Sequence, residues 1–487
     1  MKPSTLLLGI GLLGLGLFPS TLCFAQDSPD TADAGAKGSA VARVALESLP
    51  RDEKGFLKQE VWDIVKQEAA AKPVSNEASL LKARPQMQAY YATFAQWKAP
   101  DPAPVPEGKL RNLADAPTTP RFPLTDKVWP EKAGDASICL WEDDKLAAMS
   151  LGVDDNNAGD LPYWKELSKK YGGLNITWNL ITFNIDGVVD KGRISAAGTW
   201  DMWKEMLNEG YHLASHSMTH NHDPVFADGW PGPDWEAAES QRMIDTHLPG
   251  HKTKVFVYPG AGVHVFSILG GYTTKSNWRP SLVKYYAAAR GGGGQPINQA
   301  NLIDYFDIES TTAIQNILDS PNPKMAEYNL NNIFAADPKS PYHKYYRGWA
   351  TTFIHFINNG KGFDTLPLYV AETKVLSFYN DHRADLWTGF FDDVALYGEE
   401  RDTATLTTDS ASDASILLTL TDKMDPTTFD YPLTIKVRLP DSWKGASARQ
   451  KDVEVPVQVI QNGGANFALV KAVPDRGQIK LMAAAGK

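Results

Sequence analysis

From Leu146 to Tyr258 short apolar runs alternate with amphipathic stretches, and this alternation restricts the fold more than any other feature of the chain. Leu146 to Val153, Ile176 to Phe183, Tyr211 to Ser215 and Val255 to Tyr258 read as strands. Between them Leu161 to Tyr171, Trp200 to Asn208 and Trp235 to His247 have helical spacing. Gly172-Gly173, Gly210 and Pro249-Gly250 stop these helices in turn. Strand–helix repetition implies parallel strands, and so a sheet or barrel with helices outside. In such folds the reacting groups gather at the C-terminal ends of the strands.

The flanking regions follow other patterns. Residues 26–137 read as a partly helical extension, with helical spacing over Arg51 to Ala71 and Ala78 to Trp97. The prolines between Pro100 and Pro106 force an extended path after them. Past about Arg401, Leu433, Ile435, Val437 and Leu439 alternate with Thr434, Lys436 and Arg438, and Val453 to Val459 repeats the pattern. Such a period of two predicts an antiparallel β-sandwich over 402–487, with one wet face. The expected catalytic domain is then α/β, over 138–401.

Met1-Lys2-Pro3, the apolar run Leu6 to Phe18 and Cys23-Phe24-Ala25 have the layout of a signal peptide cleaved near Ala25. The expected location is therefore secreted or periplasmic. The apolar core is too short to span a bilayer comfortably, and no later segment reads as a membrane span. Cys23 would leave with the signal and Cys139 stand alone, which excludes an intrachain disulfide framework. A formal net charge of −10 argues against nucleic acid as a partner.

Three strand ends carry chemistry. Asp154 and Asp155 follow the first strand, and adjacent residues of an extended chain point to opposite sides. One carboxylate can hold a cation while the other stays free as a base; the pair also suits an Asx-turn or a helix cap. His216 and His220 stand four apart, the spacing of one helical face, where two imidazoles can share a cation. The bland reading is a polar loop with surface histidines. Four of the ten histidines fall between 212 and 222, which weakens it. Two His and one Asp suit zinc and, almost as well, iron, cobalt or nickel. The strand Val255 to Tyr258 breaks at Pro259-Gly260-Ala261-Gly262, where glycine lets backbone N–H groups approach a ligand, or simply makes a turn.

In this order Asp154-Asp155, His216-Ser217-Met218-Thr219-His220 and the later Phe353-Ile354-His355 resemble the polysaccharide deacetylase family, the carbohydrate esterases of NodB homology. The resemblance spans about 138 to 400 and implies a distorted (β/α) barrel. It implies that Asp155, His216 and His220 hold one divalent metal, zinc before cobalt, nickel or iron. It also implies that Asp154 is the base for the attacking water, His355 the acid for the leaving group, and the Gly260 N–H an oxyanion donor. The expected substrate is an acetylated polysaccharide or oligosaccharide.

Two departures stand out. Asn156 follows the aspartates where the family has glycine, and Val257 replaces the arginine that tunes the base. Loss of that cation raises the base's pKa, and Arg290 is the candidate to restore it from a later strand end. Trp230, Trp235 and Trp387 could stack sugar rings or serve only as packing. Two further readings stay open: a metal-dependent amidohydrolase acting on a non-sugar C–N bond, and a carbohydrate-binding protein without turnover.

Overall fold

In the computed structural model, residues 88–188, 197–220, 230–259, 275–291, 296–312, 329–355 and 375–484 are described. A short strand, β1 (Ala136–Ile138), precedes β2 (Ala147–Val153), which is buried at every position. Alternate residues of β2 serve different faces. Ala147, Met149, Leu151 and Val153 share a core with Trp164 and Leu167 of helix α1 (Leu161–Lys170) and with Trp203 and Met206 of α2 (Trp200–Asn208). The other set, Ala148, Ser150, Gly152 and then Asp154, faces the opposite way, where Ser150 Oγ lies 3.1 Å from the Trp349 indole nitrogen. Both faces are therefore covered, as in sheets that carry helices outside.

β3 (Ile176–Leu180), β4 (His212–Ser215), β5 (Val255–Val257) and β6 (Ala288–Arg290) follow β2 in spatial as well as chain order, all parallel. After β7 (Ile297–Asn298) and β8 (Thr311–Thr312), β9 (Trp349–Ile354) runs parallel along the other side of β2. A bridge from Arg290 to Ile308 and the pairing of β8 with β9 carry the sheet from β6 back to β9. The sheet thus curls into a half-barrel, with β10 (Leu386–Thr388) added beside the start of β2. α3 (Pro233–His247), α4 (Lys275–Tyr285), α5 (Leu376–Asp381) and α6 (Phe391–Thr403) complete the layer.

Register brings the site together. Val153 pairs with both Trp178 and Ile354, Leu180 with Ser215, and Val257 with Arg290. Asp154, His216, Arg290 and His355 therefore emerge at one end of the sheet.

The C-terminal region forms two antiparallel sheets. One, in spatial order, has β1, β13 (Leu433–Arg438), β17 (Ala465–Ala472) and β16 (Val457–Asn462); the other has β11 (Thr405–Ala411), β12 (Ile416–Thr421), β18 (Ile479–Ala483), β14 (Ala446–Gln450) and β15 (Val453–Val455). Two details differ from the sequence reading. β1 joins this sheet from across the expected limit at 137, because Ala136 to Ile138 pair with Val437 to Ile435. β13 has no wet face either: Thr434 and Lys436 are buried against residues 142–144, with Asp143 N donating to Thr434 Oγ1 at 3.0 Å.

Residues 88–92 are helical, and Tyr91 and Phe94 pack against Trp235 with ring centroids 5.8 and 4.9 Å apart. The helix expected over 51–71 and the start of the one over 78–97 lie outside the described residues. Cys139 is buried and free. Among the described residues, no helix is long and apolar enough to cross a membrane.

Candidate metal centre

Asp154 continues the inward series of β2. Its Oδ1 accepts from Asn179 Nδ2 at 2.6 Å and from Arg290 Nη2 at 2.5 Å, and its own N–H donates to Ile354 O at 2.9 Å. The approach of Asn179 depends on Gly152, where an added Cβ would stand 3.0 Å from the amide nitrogen. Burial pushes the Asp154 carboxyl up, but Arg290, with His216 and His355, outweighs it and holds the pKa below the usual range.

Arg290 is itself buried and held on several sides. Nη1 donates to Ser310 Oγ at 2.9 Å and to Gly291 O at 3.2 Å, and the guanidinium lies 4.5 Å from the Phe353 ring centroid. Val257, where the resemblance places an arginine, is its register partner on the adjacent strand.

The chain turns at Asp155, Asn156 and Asn157, whose φ values of 63°, 59° and 47° are all left-handed. Asp and Asn tolerate this region better than other non-glycine residues. Asn156 also uses its side chain: Oδ1 accepts from Ile181 N at 2.7 Å, and Nδ2 donates to Ile181 O at 3.2 Å and Ala197 O at 2.9 Å. Asn157 donates to Asp154 O at 2.6 Å and to the carbonyl of His355. Glycine would permit the turn, whereas asparagine fixes it.

His216 Nε2 and His220 Nε2 stand 3.2 and 3.4 Å from Asp155 Oδ1, and the ring centroids are 4.7 Å apart. The pair is not on a helical turn, contrary to the spacing argument. Ser217 and His220 take φ of 69° and 57°, and Ser217 Oγ accepts from His220 N at 2.8 Å. Glu236, in the first turn of α3, anchors this loop. Its carboxylate accepts from Thr219 N at 2.8 Å, from the Thr219 hydroxyl and from the Trp230 indole N–H at 2.9 Å. Burial raises the Glu236 pKa, while these donors partly offset the rise.

The donor set fits a divalent cation. His216 Nδ1 lies 2.9 Å from Val257 O, a group that only accepts, so Nδ1 carries the hydrogen. Nε2 then presents a lone pair to Asp155 Oδ1, a buried oxygen with no donor aligned on it. Two acceptors in contact require a proton or a cation between them. Tetrahedral ligands at zinc bond lengths stand about 3.3 Å apart, and the two separations given above match that spacing. Without the cation the proton serves: burial lowers the His216 pKa, but Asp155 and Asp154 raise it further than that. Burial likewise raises the Asp155 carboxyl, and His220 and His216 depress it more strongly.

His355 follows β9, half-buried, with its ring edge-on to Phe353 at 5.4 Å. Its charge contributes to lowering both aspartates. Gly260 lies outside the described residues. Of the three tryptophans, Trp235 and Trp387 are core residues, the latter packed against Trp141, Tyr397 and Tyr431, so neither is available for sugar stacking. Trp230 is partly buried and tied to Glu236. Asn179, Glu236 and Ser310 escaped the sequence reading; a polar residue inside the apolar strand Ile176-Thr177-Trp178-Asn179-Leu180 was the available signal for the first.

A second group of metal-binding type, His212 with Asp392 and Asp393, lies at the opposite end of β4. His212 Nδ1 is 2.9 Å from both Asp392 oxygens, which clamps the strand to α6.

No family model matches the chain. A gellan lyase from Bacillus sp. is 32% identical over 398 residues, covering 77% of this chain but only 14% of that protein's length. Among solved structures, a putative polysaccharide deacetylase from Mycobacterium smegmatis aligns at 12% identity and a TM-score of 0.32, over 55% of this chain and 94% of the other. A CE4 family pseudoenzyme from Bacillus anthracis aligns at 12% identity and a TM-score of 0.28, over 51% and 66%. Both scores are too low to establish a shared fold.

Proposed function

We propose that the chain is an exported, metal-dependent hydrolase that removes N- or O-linked acetyl groups from a polysaccharide or oligosaccharide. The observation that carries this reading is the convergence of Asp155, His216 and His220 beside a second carboxylate, Asp154, held ionised by Arg290. A divalent cation at the triad would polarise the acetyl carbonyl and lower the pKa of a nearby water.

The chain's own groups supply the rest. Asp154 takes the proton of the attacking water as its oxygen bonds to the carbonyl carbon. Arg290 and Asn179 hold that carboxylate in place and keep it in its basic form. His355 gives a proton to the departing sugar amine or hydroxyl as the bond to the acetyl carbon breaks. A non-catalytic binder has no use for a free base beside a ligand triad. The same machinery would serve hydrolysis of a non-sugar C–N bond, and the leaving group alone distinguishes the two.

Gellan lyase is by name a polysaccharide-cleaving enzyme. Because the shared segment is 14% of its length, we read the likeness as a module acting on polysaccharide, with the chemistry of the module set by the triad. An acetate-release screen over acetylated xylan, chitin oligomers, peptidoglycan and marine polysaccharides tests the proposal. Asp154→Asn should abolish release from any substrate found while metal binding survives.

A further inference from the structure

At the far end of β2 from the metal centre, a cavity of about 320 Å³ opens between residues 122–128, β1 and the sandwich. Leu146, whose carbonyl accepts from the lining residue Arg347, is nine residues from Asp155, each rising ~3.3 Å along a strand. Phe122, Leu124, Val128, Ile138 and Leu140 give it apolar walls. Three cations, Arg347, Arg401 and Lys436, line it with a single carboxylate, Asp144.

Two of these cations are already matched. Arg401 donates through Nε and Nη2 to Asp402 Oδ1 at 2.9 and 2.7 Å, and through Nη1 to Leu140 O at 2.8 Å. Lys436 Nζ lies 2.7 Å from Asp144 Oδ2, donates to Val128 O at 2.7 Å and sits 3.8 Å over the Trp129 ring.

Arg347 differs. It is only 3% exposed, and its Nε and Nη1 donate to the neutral carbonyls of Leu146 and Thr125 at 3.2 and 2.9 Å. Nη2 makes no hydrogen bond, and among the described residues no carboxylate forms an ion pair with this guanidinium. A buried guanidinium with no carboxylate in contact is costly even with Asp144 in the same lining, and its unbonded Nη2 can donate to a carboxylate.

We propose that this cavity binds a small organic monocarboxylate with an apolar body, its carboxylate on Arg347 Nη2 and its body against Phe122, Leu124 and Ile138. The volume is at the lower end for small-molecule sites, which limits the ligand to a single ring or short chain. With Lys436 paired to Asp144 and Arg401 to Asp402, Arg347 alone is left for the ligand, so a second negative charge would have no partner and dianions are disfavoured.

Calorimetric titration of the full chain with benzoate and with hexanoate tests this, using benzamide and inorganic phosphate as controls. The expected result is one equivalent of carboxylate bound, with benzamide at least tenfold weaker and phosphate not bound. Arg347→Met should abolish binding. Should that variant fail to fold, Val128→Trp decides, because Val128 is exposed and lines the cavity, so a tryptophan there takes up its space while Arg347 is kept. Binding of neither carboxylate, equal binding of benzamide, or full binding by Val128→Trp overturns the proposal.

Discussion

Val257 and Arg290 face one another across β5 and β6, and the guanidinium of the second reaches the carboxylate of Asp154 at 2.5 Å. The backbone carbonyl of the first fixes the His216 tautomer instead. Relative to the arginine that the resemblance implies at position 257, the cation stands one strand sideways at the same height, paired with Asp154.

Removing that cation should change both rate and pH dependence. With Arg290 present the Asp154 pKa is depressed, so the basic form persists well into acid. In Arg290→Gln the pKa rises, and activity should be lost at higher pH on the acid side. We expect the acid limb of the pH–rate profile to move to higher pH and the rate to fall roughly 100-fold. An unchanged acid limb would show that Arg290 does not tune the base.

Glu236 positions the histidine loop without touching a ligand. Glu236→Ala leaves Thr219 N–H and the Trp230 indole without acceptors, and metal affinity should fall about 10–100-fold, the usual cost of losing an outer support. Glu236→Gln keeps an acceptor and should recover most of it. Competition with a chelator measures both, and equal affinities in the alanine variant and wild type would contradict the role.

Asn156→Gly tests whether the turn needs only conformational freedom. The φ of 59° costs glycine nothing, but three hydrogen bonds to 181 and 197 are lost. Stability should drop by about 1–3 kcal/mol with one metal still bound. A variant as stable as wild type in urea unfolding would mean that the asparagine side chain contributes nothing.

The His212 clamp predicts how stability varies with pH. Burial lowers the His212 pKa, but Asp392 raises it further, so its contribution is full below the unfolded value and lost as pH climbs through the folded one. Asp393 is pushed up to about 7 by burial and by Asp392, so its neutral form favours the fold and that contribution also fades between about pH 4 and 7. The unfolding free energy should therefore fall by about 1 kcal/mol or more from pH 5 to pH 8. Asp393→Asn should flatten the slope; a wild-type midpoint that rises with pH over this range contradicts the assignment.

The strands and helices between 146 and 258 were legible in the sequence because burial on both faces of β2 and β5, and on one face of each helix, writes a period directly into the residues. The same logic misled where tertiary contacts override period. Thr434 and Lys436 alternate with apolar neighbours, which predicts exposure, yet residues 142–144 cover them. The spacing of His216 and His220 predicts a helical turn, yet left-handed φ at Ser217 and His220 makes a loop with the same convergence. The triad of Asp155, His216 and His220 announced itself by residue type and spacing. Their supports did not, since Asn179, Glu236 and Ser310 reach the site only through pairing and packing between distant segments.

The central claim is that hydrolysis depends on a cation held by Asp155, His216 and His220. The most direct measurement is acetate release by protein stripped of metal, before and after one equivalent of zinc, alongside His216→Ala. The stripped protein should be inactive, zinc should restore it, and His216→Ala should neither bind zinc nor recover. Full acetate release by the stripped protein would contradict the account.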